Sequence, residues 1–216
     1  MKLTTTAKLV TAIAGLSLTA NSAHASIIIF DGITGANNTE LPTTLGSNLT
    51  SDVAGATVIN GATPDIDLEW AGSNGGWDLY AGGTYWAALE TATGRIGQLE
   101  YPTTQTPMTI TFAVADGQAL QLNSVDIGMA TDKTDTYYFD ITISEVGGGE
   151  VFNFLTAAMD GDGSSGVETL TVDFNFTGTP GTDYVLAFND VDSLGNDTIS
   201  NNGGAIDNLS FNQVIP

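Results

Sequence analysis

Acidic side chains in a glycine-rich loop offer the first chemistry in this sequence. The stretch from Asp160 to Glu168 reads Asp-Gly-Asp-Gly-Ser-Ser-Gly-Val-Glu, which places Asp160 and Asp162 at alternate positions among glycines. Oxygen ligands in such a loop suit calcium. The stretch departs from an EF-hand loop, because Ser165 stands where glycine is needed and Thr171 where a bidentate glutamate is needed. We predict a calcium-binding loop here, and the alternative is a solvated Asp- and Gly-rich turn.

A further aspartate lies where an apolar side chain is expected. Leu209 and Phe211 alternate in the last predicted strand, and counting back two places puts Asp207 on their face. A lone buried carboxylate is costly, so it needs a partner. A structural cation held between Asp207 and Asp31, which follows the first predicted strand, would supply one. A β-bulge near Asn208 would instead turn Asp207 outward as an exposed edge residue.

Other carboxylates show no spacing that is typical of a site. Asp190, Asp192 and Asp197 lie in one short stretch, which we interpret as a polar loop rather than a cation site. Hydrolysis of a polysaccharide requires a pair of catalytic carboxylates. The glutamates are scattered, and the Glu-x-Asp-x-x-Glu strand motif of laminarinase-like glycosidases is absent. The sequence therefore predicts a protein that is not an enzyme.

Aromatic side chains cluster in the first half of the chain. All three tryptophans lie close together with two tyrosines, in the set Trp70, Trp77, Tyr80, Tyr85 and Trp86. Flat aromatic faces stack on sugar rings while neighbouring carboxylates bind hydroxyls. Trp70 ends an alternating Ile-x-Leu-x-Trp run and is expected in the core, whereas Trp77, Tyr80, Tyr85 and Trp86 form a candidate carbohydrate-binding surface. The alternative is that the whole cluster packs in a sandwich core.

The N-terminal segment 1–25 is typical of a secretory signal peptide. Lys2 and Lys8 accompany a mostly apolar stretch, residues 9–18, that is too short to span a membrane. The Ala-His-Ala sequence at 23–25 supplies a small-x-small cleavage pattern, and the alternative is a buried N-terminal helix. Cleavage after Ala25 would leave one secreted domain, residues 26–216.

The exported chain is strongly acidic and lacks two reactive side-chain types. Cleavage removes two of the 4 basic residues and the only histidine, so Arg95 and Lys133 face all 25 acids and the net charge is −23. Phosphate contacts need lysine and arginine, which excludes a nucleic-acid partner, and an anionic membrane surface would repel the chain. Without histidine or cysteine, nucleophilic triads and zinc sites are unavailable. The remaining oxygen ligands suit calcium, although acidity also serves solubility alone.

Alternating apolar and polar residues predict an all-β fold. The strongest pattern places Leu170, Val172, Phe174 and Phe176 on one face, with polar residues between them. Further predicted strands are 27–33, 56–59, 65–71, 84–89, 97–101, 108–114, 119–129, 139–144, 150–155, 183–188 and 204–214. Gly- and Asn-rich turns separate these runs, and no useful helical periodicity is found. The pattern predicts one antiparallel β-sandwich, a jelly roll, with its first and last strands close together.

Both ends of the chain resemble the secreted ectodomains of bacterial PEP-CTERM (exosortase-sorted) proteins. The signal peptide leads directly into a strand with Phe30-Asp31, and Ala-Ile-Asp-Asn-Leu-Ser-Phe at 205–211 is followed by Gln-Val-Ile-Pro at 213–216. The region between is acidic and rich in glycine, threonine and asparagine. This sequence stops before the Glu-Pro, membrane helix and arginine cluster of the family's sorting tail. Two alternatives follow: the tail lies beyond this sequence, or this relative is released without an anchor; residues 26–216 are not expected to contain a membrane span. The resemblance implies a galactose-binding-like sandwich exported by a Gram-negative bacterium to its envelope or extracellular polymer, and it implies no reaction.

These observations favour a secreted, non-enzymatic matrix or cell-surface protein with a carbohydrate-binding-module-like fold. Its expected partner is extracellular polysaccharide and its expected ion is calcium. The metal candidates are Asp31, Asp207, Asp160 and Asp162, and the carbohydrate candidates are Trp77, Tyr80, Tyr85 and Trp86. A second hypothesis is a self-associating adhesive or structural subunit. A third is a polysaccharide-cleaving enzyme that uses two carboxylates.

Overall fold

The computed structural model describes residues 25–31, 33, 36–49, 58–59, 62–72, 77–81, 89, 95–98, 107–132, 135–161, 166–196 and 204–215. Residues 1–24 of the predicted signal segment lie outside this part of the chain, as do Asp162, Tyr85 and Trp86. The described residues form thirteen strands and no helix: β1 Ser26–Ile28, β2 Thr39–Glu40, β3 Val58–Ile59, β4 Ile66–Ala71, β5 Asp78–Ala81, β6 Arg95–Gln98, β7 Met108–Val114, β8 Ala119–Met129, β9 Tyr138–Glu145, β10 Glu150–Leu155, β11 Thr169–Thr177, β12 Tyr184–Val191 and β13 Gly204–Val214. A helix long and apolar enough to cross a membrane does not occur among them.

The strands form two antiparallel sheets that pack as a sandwich. The eight-stranded sheet has the order β11-β8-β13-β6-β5-β2, with β1 paired to β13 and β3 paired to β1, and the five-stranded sheet has the order β10-β9-β12-β7-β4. From β7 to β13 the chain changes sheet at every connection except the β9–β10 hairpin, which is the connectivity of a jelly roll. The prediction of an all-β antiparallel sandwich is confirmed, and β1 and β13 are neighbours as expected.

Strand alternation builds the core between the sheets. In β4, Ile66, Leu68 and Trp70 are buried while the residues between them are exposed, so one face of the strand packs inward. The rings of Phe112 in β7 and Phe211 in β13 meet edge to face with centroids 5.5 Å apart, which joins the two sheets across the core.

Three register shifts, one between β11 and β8 and two between β13 and β8, reset the alternation in the eight-stranded sheet. Two residues of β13, Asn208 and Leu209, stand opposite a single residue of β8, and Asn208 has a φ of 51°. A matching bulge in β11 contains Asn175, with a φ of 47°. Asparagine tolerates this left-handed region better than most residues. The bulge near Asn208, one of the two predicted arrangements, therefore lets both Ile206 and Leu209 reach the core and turns Asp207 to the outer side of the sheet.

Candidate functional site

Polar side chains gather on the outer side of the eight-stranded sheet. Leu79, Ile127 and Ile206 belong to the core, so the residues that alternate with them on β5, β8 and β13 point away from it. The cross-strand register brings these outward residues together. We call this surface the polar face, and it consists of Glu40, Asp78, Tyr80, Gln98, Asp126, Thr171, Asp207 and Asn208.

Asn208 organises one half of the polar face by linking two carboxylates. Asp126 and Asp207 are register partners on β8 and β13, an arrangement in which like charges repel. The backbone N–H of Asn208 donates to Asp207 Oδ1 over 2.8 Å, and Asn208 Nδ2 donates to Asp126 Oδ2 over 2.8 Å. The hydroxyl of Thr171 donates to Asp126 Oδ1 over 2.6 Å. These donors offset the repulsion and fix the half-buried carboxylate of Asp126, whose remaining lone pairs can accept further hydrogen bonds.

Leu89, the described residue of the connection between β5 and β6, lies against the polar face. A Cβ atom on Gly128 would lie only 3.0 Å from the Cβ of Leu89, so the absence of a side chain at 128 allows this close approach. Leu89 and Tyr80 pack on a small second apolar cluster formed by Ile96, Ala130 and Ala205. Asp207 follows Ile206 on β13 and lies close to this second apolar cluster. It is only 1% exposed although it points away from the core.

The other half of the polar face is a row of oxygen-bearing side chains on three strands. Glu40 of β2 is the register partner of Asp78 in β5, and Asp78 is the register partner of Gln98 in β6. Asp78 is 8% exposed and Gln98 is 9% exposed. The Oε1 atom of Gln98 is buried and accepts no hydrogen bond from the described residues. A buried acceptor without a donor is costly, so this row is suited to an external donor or cation.

The predicted metal ligands differ in burial. Asp207 is buried on β13, whereas Asp31 is exposed just beyond β1. Asp160 is fully buried, which differs from the solvated turn considered as an alternative for this residue. Next to it, a Cβ on Gly161 would overlap the carbonyl oxygen of Ala130, so the loop packs directly on neighbouring backbone. Within the described residues, no group of three or more Asp, Glu or His side chains could hold a metal ion, and calcium at these aspartates stays a prediction.

The stretch after β12 is a polar loop, as the sequence indicates. Asp192 Oδ1 accepts hydrogen bonds from the backbone N–H of Leu194 over 2.8 Å and of Asn196 over 2.9 Å. These bonds and the side-chain amide of Asn196, whose contribution is the largest, hold the pKa of Asp192 below its usual range. In the same region, burial raises the pKa of Tyr137 most, and the negative charges of Asp135 and Asp190 raise it further.

The prediction that Trp77 lies on a carbohydrate-binding surface is wrong. Trp77 is 1% exposed, and its ring meets Trp70 and Phe188 edge to face at centroid distances of 5.1 and 5.6 Å. Its Nε1 donates to the carbonyl of Thr109 over 3.1 Å. Trp77 lies two residues before Leu79 and shares its inward direction, which explains the burial. Tyr80 is half-buried on the polar face, and the predicted partners Tyr85 and Trp86 are outside the described residues.

Several members of the polar face, among them Glu40, Gln98 and Asp126, could not be identified as site residues from the sequence alone. Asp126, Gln98, Glu40 and Asp78 come from different strands, and only the long-range register brings them together. One local signal was available, because the alternation of Asp78 and Tyr80 in β5 places both on one face.

Comparisons with known proteins find similar folds at low identity. No protein-family model matches the chain and no curated protein matches it. An arabinose-bound GH51 α-L-arabinofuranosidase is 11% identical, with 86% of this chain and 28% of that one covered and a TM-score of 0.42. The CBM22-1–GH10 modules of Clostridium thermocellum xylanase 10B, complexed with xylohexaose, are 12% identical, with 83% and 28% covered and a TM-score of 0.35. CpGH89CBM32-6 of Clostridium perfringens is 12% identical, with 68% and 94% covered and a TM-score of 0.31.

This chain therefore spans less than a third of the first two of these structures. Matches this distant do not assign a ligand or an activity to it.

Proposed function

We propose that this chain is a secreted, non-enzymatic protein of a bacterial extracellular matrix or cell surface that binds a neutral polysaccharide on its polar face. The observation that supports this most is the fixed, half-buried carboxylate of Asp126, which accepts hydrogen bonds from Asn208 and Thr171. A carboxylate that is held in place loses little freedom when it accepts hydrogen bonds from sugar hydroxyls. The half-buried ring of Tyr80 on the same face offers an apolar surface for a sugar ring.

The charge of the chain favours a neutral polymer over an acidic one. The exported domain carries a net charge of −23, and the polar face adds no basic side chain to that balance. Anionic polysaccharide would be repelled by Asp126 and by the field of the whole domain. Secretion is supported by the signal-like segment 1–25, and the surface location by the resemblance to PEP-CTERM ectodomains.

The Asp126→Ala variant tests the proposal. We expect it to bind a neutral polysaccharide such as xylan or β-glucan at least about tenfold more weakly than the wild type, because it loses one charged hydrogen-bond acceptor worth about 1.5–3 kcal/mol. Affinity electrophoresis through gels that contain the polymer measures the dissociation constant, with an acidic polymer in parallel. A reducing-sugar assay on the same samples should detect no cleavage.

Asp140→Ala is the matched control. Asp140 is a half-exposed aspartate on β9 of the other sheet, and it accepts a hydrogen bond from Asn153 Nδ2 over 2.7 Å. This variant should bind as the wild type does. Equal binding by the wild type and Asp126→Ala would contradict the proposal, and so would a wild type that no neutral polymer retards. Release of reducing ends would instead support the third hypothesis, a polysaccharide-cleaving enzyme that uses two carboxylates.

A second candidate function, self-association, is favoured by the free edge of the five-stranded sheet. In the described part of the chain β10 pairs with β9 only, and its outward residues Val151 and Leu155 are 46% and 41% exposed. Residues 151–155 carry no charge, and an uncharged edge strand is a template for pairing with another chain.

Association through this edge should increase with salt, because screening weakens the repulsion between two acidic copies. Sedimentation velocity at low and high salt measures it. Val151→Lys should abolish the oligomer, whereas Leu194→Lys, at an exposed loop position, should not. A monomer at every salt concentration would exclude this candidate.

A further inference from the structure

The row formed by Glu40, Asp78 and Gln98 places two carboxylates and one amide carbonyl oxygen on the same side of β2, β5 and β6. Asp78 and Gln98 are both more than nine-tenths buried, and they stand directly opposite each other across β5 and β6. Gln98 Oε1 is buried without a hydrogen bond from the described residues. A cation held between this carbonyl oxygen and the carboxylates of the row would satisfy the buried acceptor and offset the negative charge.

We propose that Glu40, Asp78 and Gln98 bind a divalent cation of the calcium class. Calcium takes six to eight oxygen ligands from carboxylates, amide carbonyls and water. The two carboxylates each offer one or two oxygens and Gln98 offers one, so the row supplies roughly three to five and water completes the shell. Magnesium binds more weakly here, because it demands a small octahedral shell and gives up its water reluctantly.

The strands that carry the row explain what the ion does. β2 is two residues long and is held to the sheet by two register pairs with β5, while β6 makes two register pairs with β13. A cation shared by side chains of β2, β5 and β6 ties these short strands together. It also offsets the repulsion between Glu40 and Asp78, which are direct cross-strand partners. The row belongs to the polar face but does not include Asp126 or the Asp160 loop, so cation binding here is a further property of that face and does not depend on polysaccharide binding.

Thermal unfolding of the full chain with calcium and with chelator, at constant ionic strength, tests the proposal. At a calcium concentration about a hundred times the dissociation constant, linkage predicts a rise in Tm of about 5–10 °C, and less with magnesium. Asp78→Asn and Gln98→Ala should each lose most of this rise. Asp173→Asn, an exposed aspartate on the outer side of β11, should keep all of it.

Three outcomes would overturn the proposal. One is the absence of a calcium-specific rise in the wild type, and another is an undiminished rise in Asp78→Asn. The third is a rise that Asp160→Asn removes and Asp78→Asn retains, which would assign the ion to the loop. Polysaccharide binding by Asp126 can fail or succeed independently of each of these.

A charge-adding variant keeps the test decisive if Asp78→Asn does not fold. Gln98→Glu replaces the carbonyl ligand with a carboxylate, so the calcium concentration at half-saturation should fall by about tenfold. Circular dichroism confirms that the variant is native, and calorimetric titration with calcium chloride measures its affinity. An unchanged affinity in folded Gln98→Glu would also overturn the proposal.

Discussion

Trp77→Ala is expected to lower the free energy of unfolding by about 4 kcal/mol. The substitution empties a fully buried site and removes edge-to-face contacts with Trp70 and Phe188. It also leaves the carbonyl of Thr109 without the indole donor that it has in the wild type. Because domains of this size are stable by only about 5–15 kcal/mol, the loss is a large part of the total. Urea unfolding followed by circular dichroism measures it.

Two comparisons separate a core role of Trp77 from a role in binding. Trp77→Phe retains most of the buried volume and should lose about half as much stability as the alanine variant. Tyr80→Ala, on the polar face, should lose less still because that side chain is only half-buried. A Trp77→Ala protein that is as stable as the wild type but no longer binds polysaccharide would contradict the core role and support a role of Trp77 in binding.

Asn208→Ala is expected to cost about 3 kcal/mol, the second largest effect on stability. Alanine at a φ of 51° is strained by about 1–2 kcal/mol relative to asparagine. The variant also loses the Nδ2 bond to Asp126, a hydrogen bond to a charged group worth about 1.5 kcal/mol. Asn208→Gly relieves the strain and loses only the bond, so it should cost less than alanine. Chemical unfolding of both variants gives the two contributions separately.

Asn175→Ala supplies the control for the strain contribution. Asn175 occupies the bulge of β11 with a φ of 47° and an exposed side chain. Its replacement should cost only the strain, about 1–2 kcal/mol. Equal losses at 175 and 208 would show that the link between Asn208 and Asp126 contributes nothing.

The sequence predicts the sheet-forming parts of this fold well, because alternation is a local property. The strands at 119–129, 150–155 and 204–214 lie where the pattern places them, and the sandwich follows from their number and spacing. β5 was missed, since its four residues lie between glycine-rich stretches and show one apolar alternation only. A bulge resolves the conflict at Asp207, which is one of the two arrangements that the sequence left open. The exposed edge position expected with the bulge is wrong, because Asp207 is 1% exposed on a strand that pairs with β6 and β8.

The candidate site was harder to predict, because it depends on which strands become neighbours. Asp126 and Asp207 are far apart in sequence and meet only through the β8–β13 register. Gln98 carries no signal of its own, and its importance arises from burial opposite Asp78. The prediction of a surface position for Trp77 rests on the glycine-rich turn before it. Trp77 is buried because it lies two residues before Leu79, so both side chains point into the core.

The pairing of β1 with β13 determines how the domain responds to mechanical force. The two strands are antiparallel, with Ser26 opposite Phe211, so the start of β1 and the end of β13 lie at the same pole of the sandwich. Tension applied between these two ends pulls neighbouring strands sideways, and their hydrogen bonds break one after another rather than together. Among the described residues, three register pairs join β1 to β13 and two join it to β3. The domain is therefore built to yield at low force when it is stretched through its ends, with β1 peeling away first while the rest of the sandwich stays folded.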